Sequence, residues 1–218
     1  MSPAEPKKAR QHPRFPGVRA PRPLLPPETE RRLTARQRQV LDELETLLAD
    51  EALAALTMAG IAARLNCSLR TLYEIAPSKD ELVLTVVDRR LNRIGRTAIA
   101  ALDVSMSPLQ ALRAYLRAAH EAVQPTTASF APAFAGVPGA KRLLDAHQGY
   151  VEAVTQSLLD RAVAEAQIRA TDTAAVAHVL SGLGREFARP EVAEIATASP
   201  KATADALADV ILRGLERS

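Results

Sequence analysis

The sequence predicts an all-α chain, with an N-terminal three-helix domain built around a helix-turn-helix and a larger C-terminal helical domain behind it. Three observations predict it. Apolar residues make up 47% of the 218 residues, yet aromatics are only 3% and Trp is absent. Such a core is filled by Leu, Val, Ile and Ala, and Leu and Ala favour helices where aromatic and β-branched residues favour strands. From Thr34 onward apolar residues recur at three- and four-residue steps, many of the runs opened by a Ser or Thr cap, with no convincing alternating pattern between them.

Residues 1–33 hold eight of the fifteen Pro. Pro lacks a backbone donor and biases its predecessor toward extended conformations. This stretch therefore reads as a disordered Pro/Arg-rich arm without a stable helix. Residues 1–38 carry ten Lys or Arg against three Glu, net +7, while the whole chain is +3, so the other 180 residues are net −4. The basic character is concentrated in the arm, as in segments that bind polyanions.

Thr34 and Gln37 form a capping-box pair, and Val40, Leu41, Leu44, Leu47 and Leu48 follow at helical spacing. Thr57 caps a short helix to Leu65. Asn66, which tolerates the left-handed conformation, ends it. Ser68 caps a second short helix to about Ile75, and Ser78 with Glu81 opens a longer one carrying Leu82, Val83, Val86, Val87, Leu91 and Ile94. Ser107, Pro108 and Gln110 open a helix to about Val123. Prolines at 125, 132 and 138 allow only short pieces over 125–140. Helices from about Lys141 to Ile168, Thr173 to Ala188 and Pro200 to Leu215 complete the chain. The expected organisation is an arm over 1–33, a helix-turn-helix domain over 34–92 and a second helical domain over 93–218.

The two short helices, Thr57–Leu65 and Ser68–Ile75, have the spacing of a helix-turn-helix, with Ile61, Ala62, Leu65, Leu72 and the ring of Tyr73 as its core. Over Thr57–Leu82 the stretch TMAGIAARLNCSLRTLYEIAPSKDEL resembles the TetR family of bacterial transcriptional regulators. Thr57, Ile61, Ala62, Ser68, Thr71, Leu72, Tyr73, Ser78, Lys79, Asp80 and Leu82 carry the resemblance at one shared spacing. It implies an all-α homodimer, each subunit placing a recognition helix in one half-site of a palindromic DNA operator, with a C-terminal domain that binds a small-molecule effector; a cytoplasmic protein is expected from the composition and the lack of a secretory signal. It assigns Ser68, Arg70, Thr71, Tyr73 and Lys79 to the DNA face or its phosphates, and Thr57, Leu69 and Glu74 are expected among the DNA-binding residues with them. Arg70 is the strong base-edge reader, with guanine its natural partner. Arg36 and Arg38 are also expected to bind DNA, with Arg31 and Arg32, since arms preceding such units can enter the minor groove.

Four positions depart from the family pattern. Asn66 replaces the turn glycine, Ile75 a His or Tyr, and Ala76 an aromatic, while Glu74 puts a carboxylate on a helix meant to approach a polyanion. Glu74 either accepts from cytosine N4 or points away to a basic neighbour. These departures keep a rival reading open: a helical protein-interaction module or antirepressor with weak or no operator reading.

The lone Cys67 excludes an intrachain disulfide and reads as turn packing, and no Cys/His spacing suggests zinc. No nucleophile motif or phosphate loop appears, so no catalytic site, metal or cofactor is expected. No apolar run is long enough for a membrane span. Met106, Tyr115, His120, Phe130, Phe134, His147 and Tyr150 are the candidates to line an effector cavity; His120 and His147 either meet across it or are surface or locally satisfied histidines, and the second reading is the favoured one. Val176, Leu180, Leu183, Gly184, Phe187, Leu207, Ile211 and Leu215 form the apolar stripes expected to make a four-helix dimer interface.

Overall fold

A computed structural model describes residues 13–48, 55–123, 134, 136–195 and 197–217. It is all-α, and among the described residues strand pairing is limited to one antiparallel bridge between Ile168 and Glu216. The helices are α1 (Pro27–Arg32), α2 (Ala35–Leu47), α3 (Met58–Arg64), α4 (Leu69–Ile75), α5 (Lys79–Ala100), α6 (Pro108–Ala119), α7 (Ala140–Ala164), α8 (Thr173–Phe187), α9 (Pro190–Ala193) and α10 (Pro200–Leu215), with a 3-10 turn over His120–Val123. Thr34, Thr57, Ser68, Ser78, Ser107 and Ser199 each accept a backbone N–H as N-caps. Each satisfies a donor that the first helical turn leaves orphaned.

Two departures from expectation have plain causes. The long helix ends at Ala164 rather than near Ile168: Ala166 takes a positive φ of 55°, and the chain turns into the bridge to Glu216. The arm is not helix-free. Its Pro-Pro step starts α1, because a proline at the first helical position forgoes a donor that would have had no partner. Glu28 and Glu30 in the first turn and Arg31 and Arg32 in the last suit the helix dipole. Leu25 and Leu33, on either side of α1, are buried. Residues 1–12 lie outside the described residues.

The core forms two clusters. One joins α2, α3, α4 and the first half of α5 through Val40, Leu41, Leu44, Ile61, Leu72, Leu82 and Val86, and takes in Leu25 and Leu33. The other joins α6, α7, α8 and α10 through Leu112, Tyr115, Leu116, Val154, Leu158, Leu180 and Leu212. α5 runs through both, with Leu82–Val87 in the first and Ala98 in the second, so the expected boundary near 92 falls inside one continuous helix. The 13–33 segment also spans the two: Phe15 and Val18 pack on the second cluster, and Leu24 N–H donates to Asp88 Oδ2 at 2.7 Å. Asp88 is buried and its Oδ1 also pairs with His147 Nε2 at 2.9 Å. One carboxylate thus ties the N-terminal segment, α5 and α7 together.

Candidate nucleic-acid interface

The turn between α3 and α4 follows from its residues. Asn66 has φ 46°, its N–H donates to Ala63 O at 3.2 Å, and Cys67 N–H donates to Ala62 O at 2.9 Å. This is the paired bonding by which a left-handed residue closes a helix, and asparagine bears that conformation better than other side-chain-bearing residues. Ile61, Ala62, Leu65 and Leu72 are buried as expected. Tyr73 is not core: it is 51% exposed, because it stands next to Leu72 on the helix and Leu72 takes the inward face. Ala76 is buried at 3%, and Ile75 packs beside it. Burial pushes the Cys67 thiol up, against a smaller lowering by Arg36. It is a packed thiol rather than a thiolate nucleophile.

The outward side of α4 carries Ser68, Leu69, Arg70, Tyr73 and Glu74, all exposed, with Thr71 half-buried. Ser68 Oγ accepts from Thr71 N–H at 3.0 Å and lies 2.7 Å from Thr71 Oγ1. Thr57 is spent as the α3 cap, its hydroxyl accepting from Gly60 N–H at 3.1 Å. Lys79 stands at the first position of α5, where the helix dipole favours an anion. Glu74 points to basic and amide neighbours: Arg70 Nε donates to Oε1 at 2.9 Å and Gln37 Nε2 to Oε2 at 3.2 Å.

Arg36, expected among the DNA-binding residues, makes contacts within the domain. Its Nη2 donates to Leu65 O at 2.6 Å and to Asn66 O at 2.8 Å, and Nη1 lies 3.6 Å from Glu43. The guanidinium closes the carbonyl end of α3, where backbone acceptors lack helical partners. The sequence signal for this was absent, since Arg36 and Leu65 meet only in the fold. Arg31, Arg32 and Arg38 are exposed.

The six expected cavity residues that lie among the described residues are spread over both core clusters and two separate carboxylates. Phe134 is buried in the first core cluster, against the N-terminal domain. Tyr115, Met106 and Tyr150 lie in the second, where burial and the neighbouring Tyr150 push the Tyr115 hydroxyl up. His147 binds Asp88, and His120 Nδ1 lies 2.7 Å from Asp205 Oδ1, so the two histidines address different carboxylates instead of each other. Phe130 lies outside the described residues. Between α6 and α10, the cleft at Arg113, Leu116, Asp205 and Leu212 offers only about 10 Å³. That is the lower limit for a single water.

Of the expected dimer stripe, Leu180, Gly184 and Leu215 are buried within the chain's own core. Periodicity marks a stripe but not which flank faces inward. The flank left outward consists of Val179 at 51%, Leu207 at 37% and Val210 at 62% exposed, with Val176, Leu183, Phe187 and Ile211 half-buried. Among the described residues, no group of three His, Cys, Asp or Glu is arranged to hold a metal, and no helix is long and apolar enough to cross a membrane.

The sequence matches no family model and no curated protein. Solved structures do match. The TetR-family transcriptional regulator PfmR from Thermus thermophilus is 23% identical, with 82% of this chain and 100% of that chain covered at a TM-score of 0.61. A tetR-family regulatory protein from Rhodococcus is 15% identical over 85% of this chain and 100% of its own, TM-score 0.66. The ketosteroid transcriptional regulator KstR2 of Mycobacterium tuberculosis is 17% identical over 86% and 98%, TM-score 0.58. These neighbours are regulators, not enzymes. With the helix-turn-helix and the helical domain behind it in the same arrangement, the chain has the fold of the TetR family of transcriptional regulators.

Proposed function

We propose that the protein is a DNA-binding transcriptional regulator acting as a repressor. Two copies form a homodimer, each sets α4 in the major groove of one half-site of a palindromic operator, and a small-molecule effector releases the complex. The observation that carries this reading is the outward face of α4. Its polar and basic residues are exposed while Ile61, Leu65 and Leu72 are buried behind them. That is the geometry by which a second helix reaches base edges. Ser68, Thr71, Tyr73 and Lys79 then contact phosphates and Arg70 reads a base. Arg31, Arg32 and Arg38 add basic surface toward the neighbouring backbone or minor groove.

On this reading residues 34–92 hold the reading head and 93–218 the effector and dimer functions. The dimer rests on the apolar flank of α8 and α10. Val179, Leu207 and Val210 stand exposed there, and a Cβ at the intervening Gly182 would meet nothing within 4 Å, which leaves room for close approach. Two such pairs form a twofold four-helix bundle. For the effector, the polar group available is His120, 3% exposed, whose Nε2 has no hydrogen-bond partner among the described residues. Glu74, Ile75 and Ala76, which favoured a module without operator reading, leave the face open: Glu74 is paired within the domain, and Ile75 and Ala76 pack inward.

Selection from a random duplex library tests the proposal. Recovered sites should be inverted repeats with half-sites about one helical turn, ~34 Å, apart. Recovery of no common sequence would refute it.

A further inference from the structure

The carboxylate of Glu74 stands one turn after Arg70, on the face that carries the proposed DNA contacts. A negative charge there weakens attraction to phosphate, so its presence calls for a compensating role. Both of its oxygens are engaged within the domain. Arg70 Nε donates to Oε1 at 2.9 Å and Gln37 Nε2 donates to Oε2 at 3.2 Å. Gln37 is itself held: its Oε1 accepts from Thr34 N–H at 2.8 Å, and its own N–H donates to Thr34 Oγ1 at 3.1 Å. The capping box at the start of α2 thus anchors Gln37, Gln37 anchors Glu74, and Glu74 holds Arg70.

The consequence falls on Arg70, whose side chain is otherwise 87% exposed. An arginine has five N–H donors in a rigid planar fork. With Nε–H engaged by Glu74, the Nη–H donors of the fork remain for another partner. Guanine presents O6 and N7 as two acceptors on its major-groove edge, the spacing that this fork matches. An untethered arginine would equally well swing to a phosphate, and the Glu74 charge opposes that alternative.

We propose that Glu74 is a positioning residue that sets the base specificity of α4, holding Arg70 so that its Nη fork reads guanine. The carboxylate lowers affinity for DNA in general and raises discrimination at one base pair. This rests on the reading of α4 as the DNA-contacting helix.

The test uses the full chain, its selected duplex, the same duplex with each guanine replaced in turn, and a scrambled duplex, with affinities read by fluorescence anisotropy. Wild type should discriminate against loss of one particular guanine by roughly 5- to 150-fold, the range for one bidentate pair. Arg70→Ala should abolish discrimination at that position. Glu74→Ala should reduce it to within about threefold at the same position, while binding the scrambled duplex more tightly than wild type. Combining the two substitutions should cost no further discrimination. Melting temperatures should stay level, because both side chains are solvent-facing. Glu74→Ala with wild-type discrimination would overturn the proposal. So would relaxation at a different base pair from the one Arg70→Ala relaxes, since Glu74 would then read a base directly. A wild type that binds every duplex equally would refute the reading of α4 itself, which separates that failure from this one.

Discussion

Leu24 and Leu25 are neighbours in a Pro-rich, basic segment whose composition points to disorder, and the structure gives them opposite fates. Leu25 is 8% exposed and belongs to the core cluster of the helix-turn-helix domain, whereas Leu24 is 50% exposed. Replacing each by Ala therefore measures whether the segment is docked. Leu→Ala in cores costs about 2–5 kcal/mol. Leu25 sits at the edge of its cluster, where relaxation is easier, so the lower end, about 2 kcal/mol, applies. For a chain of this size about 1 kcal/mol moves Tm by roughly 2–4 °C. Leu25→Ala should then lower Tm by about 4–8 °C in a calorimetric or circular-dichroism melt. Leu24→Ala should stay within about 2 °C, as a surface change does, and its backbone N–H would still reach Asp88. Equal, small shifts for the two variants would show that the segment does not pack on the domain.

Asn66→Ala should cost about 1 kcal/mol because Ala bears a positive φ poorly, while Asn66→Gly should be neutral or stabilising; comparative urea unfolding separates the two. Arg36→Ala should lower the denaturation midpoint, by about 1–2 kcal/mol for charge-assisted bonds on a half-exposed side chain, and leave the salt dependence of DNA binding unchanged; a reduced salt slope at unchanged stability would instead make Arg36 a phosphate contact. Val179→Asp with Val210→Asp should turn a dimer into a monomer in sedimentation without loss of helix content, since both side chains are exposed within one chain; a double variant that stays dimeric would place the interface elsewhere.

Much of the fold was legible because it is written in local terms. Thr34, Thr57, Ser68, Ser78 and Ser107 each cap the helix that their spacing predicts, and α10 spans Pro200–Leu215 as the sequence implies. Asn66 closes α3 in the left-handed conformation that its residue type suggests. What local pattern does not contain is which distant groups meet. Arg36 reads as a basic surface residue until Leu65 and Asn66 present their carbonyls to it, and Gln37 reads as a cap until Glu74 arrives from another helix. The same limit separates Leu180 from Val179: both lie on one apolar stripe, but only the packing of α7 decides which is core. The prolines misled for a related reason, since Pro27 discourages a helix in general and favours one when it stands at its first position.

The proposed function requires that α4 give this chain sequence-specific affinity for duplex DNA. Competition anisotropy against its selected duplex, at about 0.15 M salt, tests it most directly. The selected site should be bound at least ~10³-fold more tightly than a scrambled duplex of the same length, the lower bound for specific regulators. Arg70→Ala should remove much of that margin. Equal affinity for both duplexes across the salt series would contradict the proposed function.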